Sequence, residues 1–266
     1  MQGIQKEISN RRAKTYMRAR KPELKYININ SKDQTHAVYL LDFYKQIFIK
    51  QYPYEQYKID INGLWSYVER QVLPVSQASF IILSIDEVLQ TPAGGIVVTY
   101  QFKTNTAIIE YLAIRTDCGT EYGKQSLIGE LYKEAIKFIN NIAITKNGVQ
   151  LKYVMSLNNQ NFDTDQFKYN RDLFRNQQFR ILEIQYYSPV NNKIDTVLLK
   201  KISYNTKSKK PTVPKIIVPK DVLIEQLYLY LKYSQDIEEP KLHMVYKRLR
   251  MHLQYMVKSV GHHKIA

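Results

Sequence analysis

The sequence predicts an α+β fold: a mixed β-sheet of about six or seven strands flanked by helices, with a C-terminal helical hairpin. Three observations predict it. Hydrophobic residues make up 44% of 266, enough for a substantial core. Three apolar runs, 79–85, 95–102 and 107–114, are separated by spacers so short that they read as an antiparallel meander. After the third run come a polar turn with two glycines and a helix of strong apolar period, the start of a β-α-β crossover.

The elements follow in order. Residues 24–30 alternate in the manner of a strand. Over 36–52, Leu40, Leu41, Tyr44, Ile47 and Phe48 recur at helical spacing, and Pro53 ends the helix. A short helix over 62–72 aligns Leu64, Trp65, Val68 and Val72. The three-strand meander turns at Gln90-Thr91-Pro92-Ala93-Gly94 and at Lys103-Thr104-Asn105. The next helix, from about Gly123 to Asn141, buries Leu127, Leu131, Ala135 and Phe138 or Ile139. A strand over 151–157, a helix over 165–176 and strands over 179–187 and 195–202 complete the domain. Residues 203–220 hold three prolines and five lysines and read as a linker. Two helices follow. One covers 221–233, with Ile224, Leu227, Tyr228 and Leu231 aligned. The other starts at Pro240, with Leu242, Val245, Leu249, Leu253 and Met256 on one face. Such a hairpin needs a surface to pack on, either the preceding domain or a second copy of the chain. The organisation expected is a basic arm (1–23), one domain (24–202), a Lys/Pro linker (203–220), and a hairpin with a basic tail (221–266).

Charge separates the centre from the ends. Of the net +15, residues 1–23 carry +5 and residues 201–266 carry +8, leaving +2 for 24–200. A nucleic-acid-binding fold would more often carry a basic stripe within its folded domain. The basic extensions are instead solvated appendages that offer a surface to an anionic partner. No apolar run approaches the ~20 residues that span a bilayer, and the first twenty residues hold no apolar leader segment. The single cysteine, Cys118, allows no intramolecular disulfide. A cytoplasmic protein is the expectation. His262-His263 lacks the flanking carboxylates or cysteines of a metal site, so no metal is expected.

The stretch Ala107 to Asn140 carries the chemistry. A strand that feeds a glycine-bearing turn and then a helix N-terminus gathers free backbone N–H groups at one point. With the helix dipole they suit a phosphate or pyrophosphate. Glu110 lies on the strand leading into that turn. A phosphate cradle beside an acid/base candidate points to group transfer with a nucleotide-bearing cofactor. The plain alternatives are that Glu110 faces solvent on the sheet and that the glycines only shape a turn.

The element order resembles that of the GNAT superfamily of acyl-CoA-dependent N-acyltransferases, and so do several local segments. One is the aromatic-rich helix Phe43-Tyr44-Lys45-Gln46-Ile47-Phe48 followed by Tyr52-Pro53. Others are the strand Tyr111-Leu112-Ala113-Ile114-Arg115 and the closing Gln185-Tyr186-Tyr187-Ser188-Pro189. These segments are similar to a bacterial GNAT subgroup. The resemblance implies a GNAT-like sheet and the use of acetyl-CoA or another acyl-CoA. Backbone groups of Leu112, Ala113 and Ile114 would hold the pantetheine arm as an added strand. Gly119, Thr120, Glu121, Tyr122, Gly123 and Lys124 would hold the pyrophosphate. Glu110 would be the general base toward an amine acceptor. The family's turn reads Q/R-x-x-G-x-G/A. Aligned on Gly123, this chain has Cys118 at the first position and Glu121 at the middle glycine. The family's usual acid, a tyrosine, falls on Phe174, which cannot donate a proton. Tyr169 and Tyr186 are the nearby tyrosines, and Tyr186 is the candidate taken.

Two other functions stand beside this one. The departures at Glu121 and Phe174 fit a GNAT fold that binds or scaffolds without catalysis. The basic ends fit an adaptor for nucleic acid or another polyanion, whose binding would fall with salt.

Overall fold

The computed structural model describes residues 23–30, 32–52, 60–69, 77–115, 121–159, 179–188 and 193–202, and within the C-terminal part 224, 228, 238–244, 246–248 and 250–251. The basic arm over 1–22, the turn 116–120, the helix expected over 165–176, the linker and the tail lie outside them. The chain forms two compact units, Met1–Leu151 and Lys152–Ala266. The division falls inside the stretch 24–202.

The first unit is built on an antiparallel meander. Strands β1 (Leu24–Asn28), β2 (Gln77–Asp86), β3 (Thr91–Gln101) and β4 (Thr106–Ile114) pair in sequence order. β2 and β3 are buried along nearly their whole length, because helices cover both faces. On one face lies helix α1, Gln34–Phe43. It continues through a π-helical turn, Tyr44–Phe48, into a last turn, Ile49–Gln51. Helix α2, Ile61–Glu69, lies beside it. Leu40, Phe43, Ile47, Phe48, Leu64 and Val68 join Ile81, Leu83, Ile85, Val97 and Ala113 of the sheet in one core cluster. On the other face lies α3, Glu121–Asn147. It buries Leu127, Leu131, Ala135 and Ile139 at the expected spacing and sets Phe138 edge-on against Phe80, with centroids 5.3 Å apart. Alternate strand residues serve the two faces.

Several boundaries differ from the sequence reading for physical reasons. The β2–β3 turn is Glu87–Gln90, earlier than the Pro/Gly cluster suggests. The Asp86 carboxylate makes that turn by accepting from the amides of Val88 (3.0 Å) and Leu89 (3.1 Å). Gly94, read as the end of the turn, belongs to β3 together with Gly95. A Cβ on Gly95 would stand 2.7 Å from Cε2 of Phe43 and 2.6 Å from Cδ2 of Leu83, so glycine is needed there for packing. Helix α3 runs to Asn147, past the expected end at Asn141. Asn147 Nδ2 donates to Tyr100 Oη and to the Phe102 carbonyl, each at 2.8 Å. Gly148 follows at φ 68°, and its N–H returns to the Ile144 carbonyl at 2.9 Å, closing the helix. Leu41, grouped with the apolar face of α1, is exposed.

The second unit carries β5 (Tyr153–Asn159), β6 (Arg180–Ser188) and β7 (Lys193–Lys201). β7 lies between the other two and is antiparallel to both. The β6–β7 register slips between Leu182 and Tyr186 and resumes with Tyr186 opposite Asp195. In the C-terminal part, residues 224 and 228 and then 244, 246–248 and 250–251 are helical. The Tyr228 and Tyr246 rings meet edge to face at 6.4 Å, so these two helical segments pack together. Pro240–Leu242 is a 3₁₀ turn, and Leu242, expected on the packed face, is exposed. Tyr246 is buried instead, while Lys247, Arg248 and Arg250 face outward.

The fold class is the α+β one that the sequence predicts, a β-sheet flanked by helices.

Candidate functional site

The site is assembled around the C-terminal half of β4. β3 and β4 pair regularly from Gly94↔Ile114 to Val97↔Tyr111. The next pair is Val98↔Ile109. Glu110 is therefore the extra residue of a β-bulge. A bulge breaks the alternation of side chains and re-aims the residue it adds, and bulges concentrate beside active sites. Glu110 is half-buried at this point.

Beyond the bulge, backbone groups alternate between the two edges of β4. The Arg115 N–H bonds the Ala93 carbonyl of β3 at 2.8 Å. Ala113, two residues earlier, presents its groups to the same side. Leu112 and Ile114 present theirs to the opposite edge, where side chains from the end of the α1 run meet them. Gln51 Oε1 accepts from the Ile114 N–H at 3.0 Å, and Gln51 Nε2 donates to the Leu112 carbonyl at 3.3 Å. The Tyr52 hydroxyl donates to the same carbonyl at 2.8 Å and accepts from the Leu112 N–H at 3.3 Å.

The π-helical turn places these two side chains. The Ile49 N–H bonds the Tyr44 carbonyl, a five-residue step, so one residue more than an α-turn is accommodated. Phe43 and Phe48, five apart, both become fully buried. Phe48 then meets Tyr52 at a tilt (5.3 Å) and Tyr111 edge-on (5.1 Å), and Tyr52 meets Tyr111 edge-on at 5.4 Å. These ring contacts aim the Tyr52 hydroxyl at the β4 edge.

At the end of β4, Arg115 is held from two sides. Its Nη1 donates to Thr91 Oγ1 at 3.3 Å, and its Nη2 lies 4.0 Å from Asp86 Oδ2. The chain leaves the sheet from this anchored residue, and helix α3 begins at Glu121. Gly119 and Thr120 lie outside the described residues. Glu121, Tyr122, Gly123 and Lys124 form the first turn of α3, two residues earlier than the Gly123 start read from sequence. The structure thus gathers Glu110, Leu112, Ala113 and Ile114 on one strand. Tyr186 belongs to β6 of the other unit. Among the described residues no group of His, Cys, Asp and Glu could hold a metal ion, and no helix is long and apolar enough to cross a membrane.

Sequence reasoning missed Gln51 and Tyr52. Tyr52 was read only as part of an aromatic segment before Pro53. The available signal was the five-residue spacing of Phe43 and Phe48, which departs from α-helical period.

No protein-family model matches the chain, and no curated protein matches it in sequence. Solved structures with similar folds include a "probable acetyltransferase" from Staphylococcus epidermidis, at 12% identity and TM-score 0.48, covering 68% of this chain and 100% of that one. An aminoglycoside 6'-acetyltransferase type Ii matches at 9% identity and TM-score 0.48, over 67% of this chain and 96% of its own. A PaiA N-acetyltransferase from Thermoplasma acidophilum, solved in complex with coenzyme A, matches at 14% and TM-score 0.43, over 68% and 99%. At these identities and scores the likeness says nothing of substrate or mechanism.

Proposed function

We propose that the chain is an acyl-CoA-dependent N-acyltransferase, transferring an acetyl or other acyl group to an amine. The observation that carries this reading is the construction of β4. It has a carboxylate at a bulge, outward backbone groups at Leu112 and Ile114, and a long helix that begins at Glu121, soon after the strand ends at Ile114. The fit to an acyl-CoA is chemical. The edge groups already bond a carboxamide, that of Gln51, and a pantetheine arm carries two amides of the same kind. The amides of residues 119–124 suit a pyrophosphate at a helix N-terminus.

The thioester supplies the acyl group when bound. In this reading Glu110 accepts a proton from the acceptor ammonium, leaving a free amine to attack the thioester carbonyl. The N–C bond forms as the C–S bond breaks; the departing sulfur takes a proton from a tyrosine or water, and the second proton of the attacking nitrogen replaces the one given up. No covalent bond to the protein is required. Acetylation of a panel of diamines, amino acids and peptide N-termini, read by mass spectrometry, tests the reaction. A product with at least one amine is expected, and none with any of them would count against catalysis. Mass spectrometry is preferred to a thiol reagent because the chain carries a thiol of its own, Cys118.

Glu121 bears on affinity. A carboxylate close to a pyrophosphate costs on the order of 1 kcal/mol even in high dielectric. Glu121→Gly is expected to tighten acetyl-CoA binding by roughly 5-fold in calorimetry. Unchanged or weaker binding would mean that the pyrophosphate lies elsewhere.

A second reading has one observation in its favour. The hydrogen-bonding edge of β4 is occupied by the protein's own side chains, as in a fold that binds or scaffolds without catalysis.

A further inference from the structure

Gln51 and Tyr52 bond backbone groups that a strand-like ligand would also need. Their chemistry is that of a peptide unit. The Gln51 carboxamide presents an acceptor to the Ile114 N–H at 3.0 Å and a donor to the Leu112 carbonyl at 3.3 Å. The Tyr52 hydroxyl covers the remaining Leu112 N–H and shares the same carbonyl. Each of the three edge groups is thereby satisfied from within the chain.

The support for these two side chains is built in. A π-helical turn delivers them, and such turns concentrate at functional sites because they cost helix regularity. Tyr52 is further held by the rings of Phe48 and Tyr111. Both residues come from the last turn of the α1 run and its C-cap, the part of a helix whose backbone bonds open at least cost.

We propose that Gln51 and Tyr52 are a latch on the β4 edge, competing with the acyl-CoA arm, so that the cofactor binds only when the last turn of the α1 run lets go. This rests on the acyl-CoA reading above. Displacement exchanges hydrogen bonds of like kind, so the latch weakens binding without abolishing it. Its strength is set by the fraction of time it is open. It also reconciles the two readings: an edge that is closed at rest is not an edge that is lost.

The test uses the full chain and acetyl-CoA, by calorimetry, on wild type, Gln51→Ala, Tyr52→Phe and the double variant. Tyr52→Phe keeps the ring packing. A latch closed nine-tenths of the time predicts roughly 10-fold tighter binding by the double variant, with each single variant between. Amide exchange of the ligand-free protein supplies a second measurement. Leu112 and Ile114 should exchange faster in the double variant and regain protection with acetyl-CoA. If the double variant fails to fold, Gln51→Ala alone should still show tighter binding and faster Ile114 exchange. Wild type that binds while the variants bind equally or more weakly overturns the latch and leaves the acyl-CoA reading intact. Absence of binding in every protein overturns both.

Discussion

Glu110→Gln should lower the rate of acyl transfer by about 10²- to 10⁴-fold, the usual contribution of a positioned general base. The change keeps size and hydrogen-bonding capacity but removes the ability to take a proton. Acyl-CoA affinity should hold within about 2-fold, because the groups proposed to bind the arm are backbone atoms of neighbouring residues. The deficit should shrink at high pH, where more of the acceptor amine is already free base. The bulge makes a control necessary, since Glu110 is the extra residue there. A melting temperature unchanged by the substitution would separate chemistry from folding. Retention of full activity by a folded Gln variant would remove Glu110 from the mechanism.

The largest expected effect on stability is at Phe43. Its ring is fully buried in the core cluster between α1 and the sheet. Phe43→Ala should cost about 3–5 kcal/mol, the lost transfer energy plus the cavity left behind. Gly95→Ala should cost about 1–3 kcal/mol for the opposite reason. The new methyl would lie 2.7 and 2.8 Å from ring carbons of Phe43. The two costs share one space, so they should not add. With the ring gone, Gly95→Ala becomes cheaper, and the double variant should be less destabilised than the sum. Denaturant unfolding of the four proteins closes the cycle. Simple additivity would mean that the Phe43 ring does not occupy the space above Gly95.

The outline of this fold was legible in the sequence because burial writes a simple pattern. β2 and β3 are covered on both faces, and runs such as Phe80-Ile81-Ile82-Leu83 and Ile96-Val97-Val98 carry that directly. The inner face of α3 was legible through the spacing of Leu127, Leu131 and Ala135. Punctuation was harder. Gly94 reads as the end of a Pro/Gly turn yet lies in β3, and at Gly95 a ring packed onto the strand demands a missing Cβ just as a turn demands positive φ. The bulge at Glu110 leaves no local mark. It arises from how two strands align, and Ile109-Glu110-Tyr111 reads as ordinary alternation. The resemblance, not the residue pattern, pointed to backbone groups of Leu112, Ala113 and Ile114 on β4. The occupation of that strand's edge by Gln51 and Tyr52 was not legible, because those contacts span about sixty residues of sequence and depend on a π-helical turn.

Amide-resolved hydrogen exchange of the full chain with and without acetyl-CoA tests the central claim most directly. Saturable one-to-one binding is expected, with new protection concentrated at residues 119–124 and at Leu112 and Ile114. No change at millimolar acetyl-CoA, or protection confined to segments away from β4 and the start of α3, would contradict it.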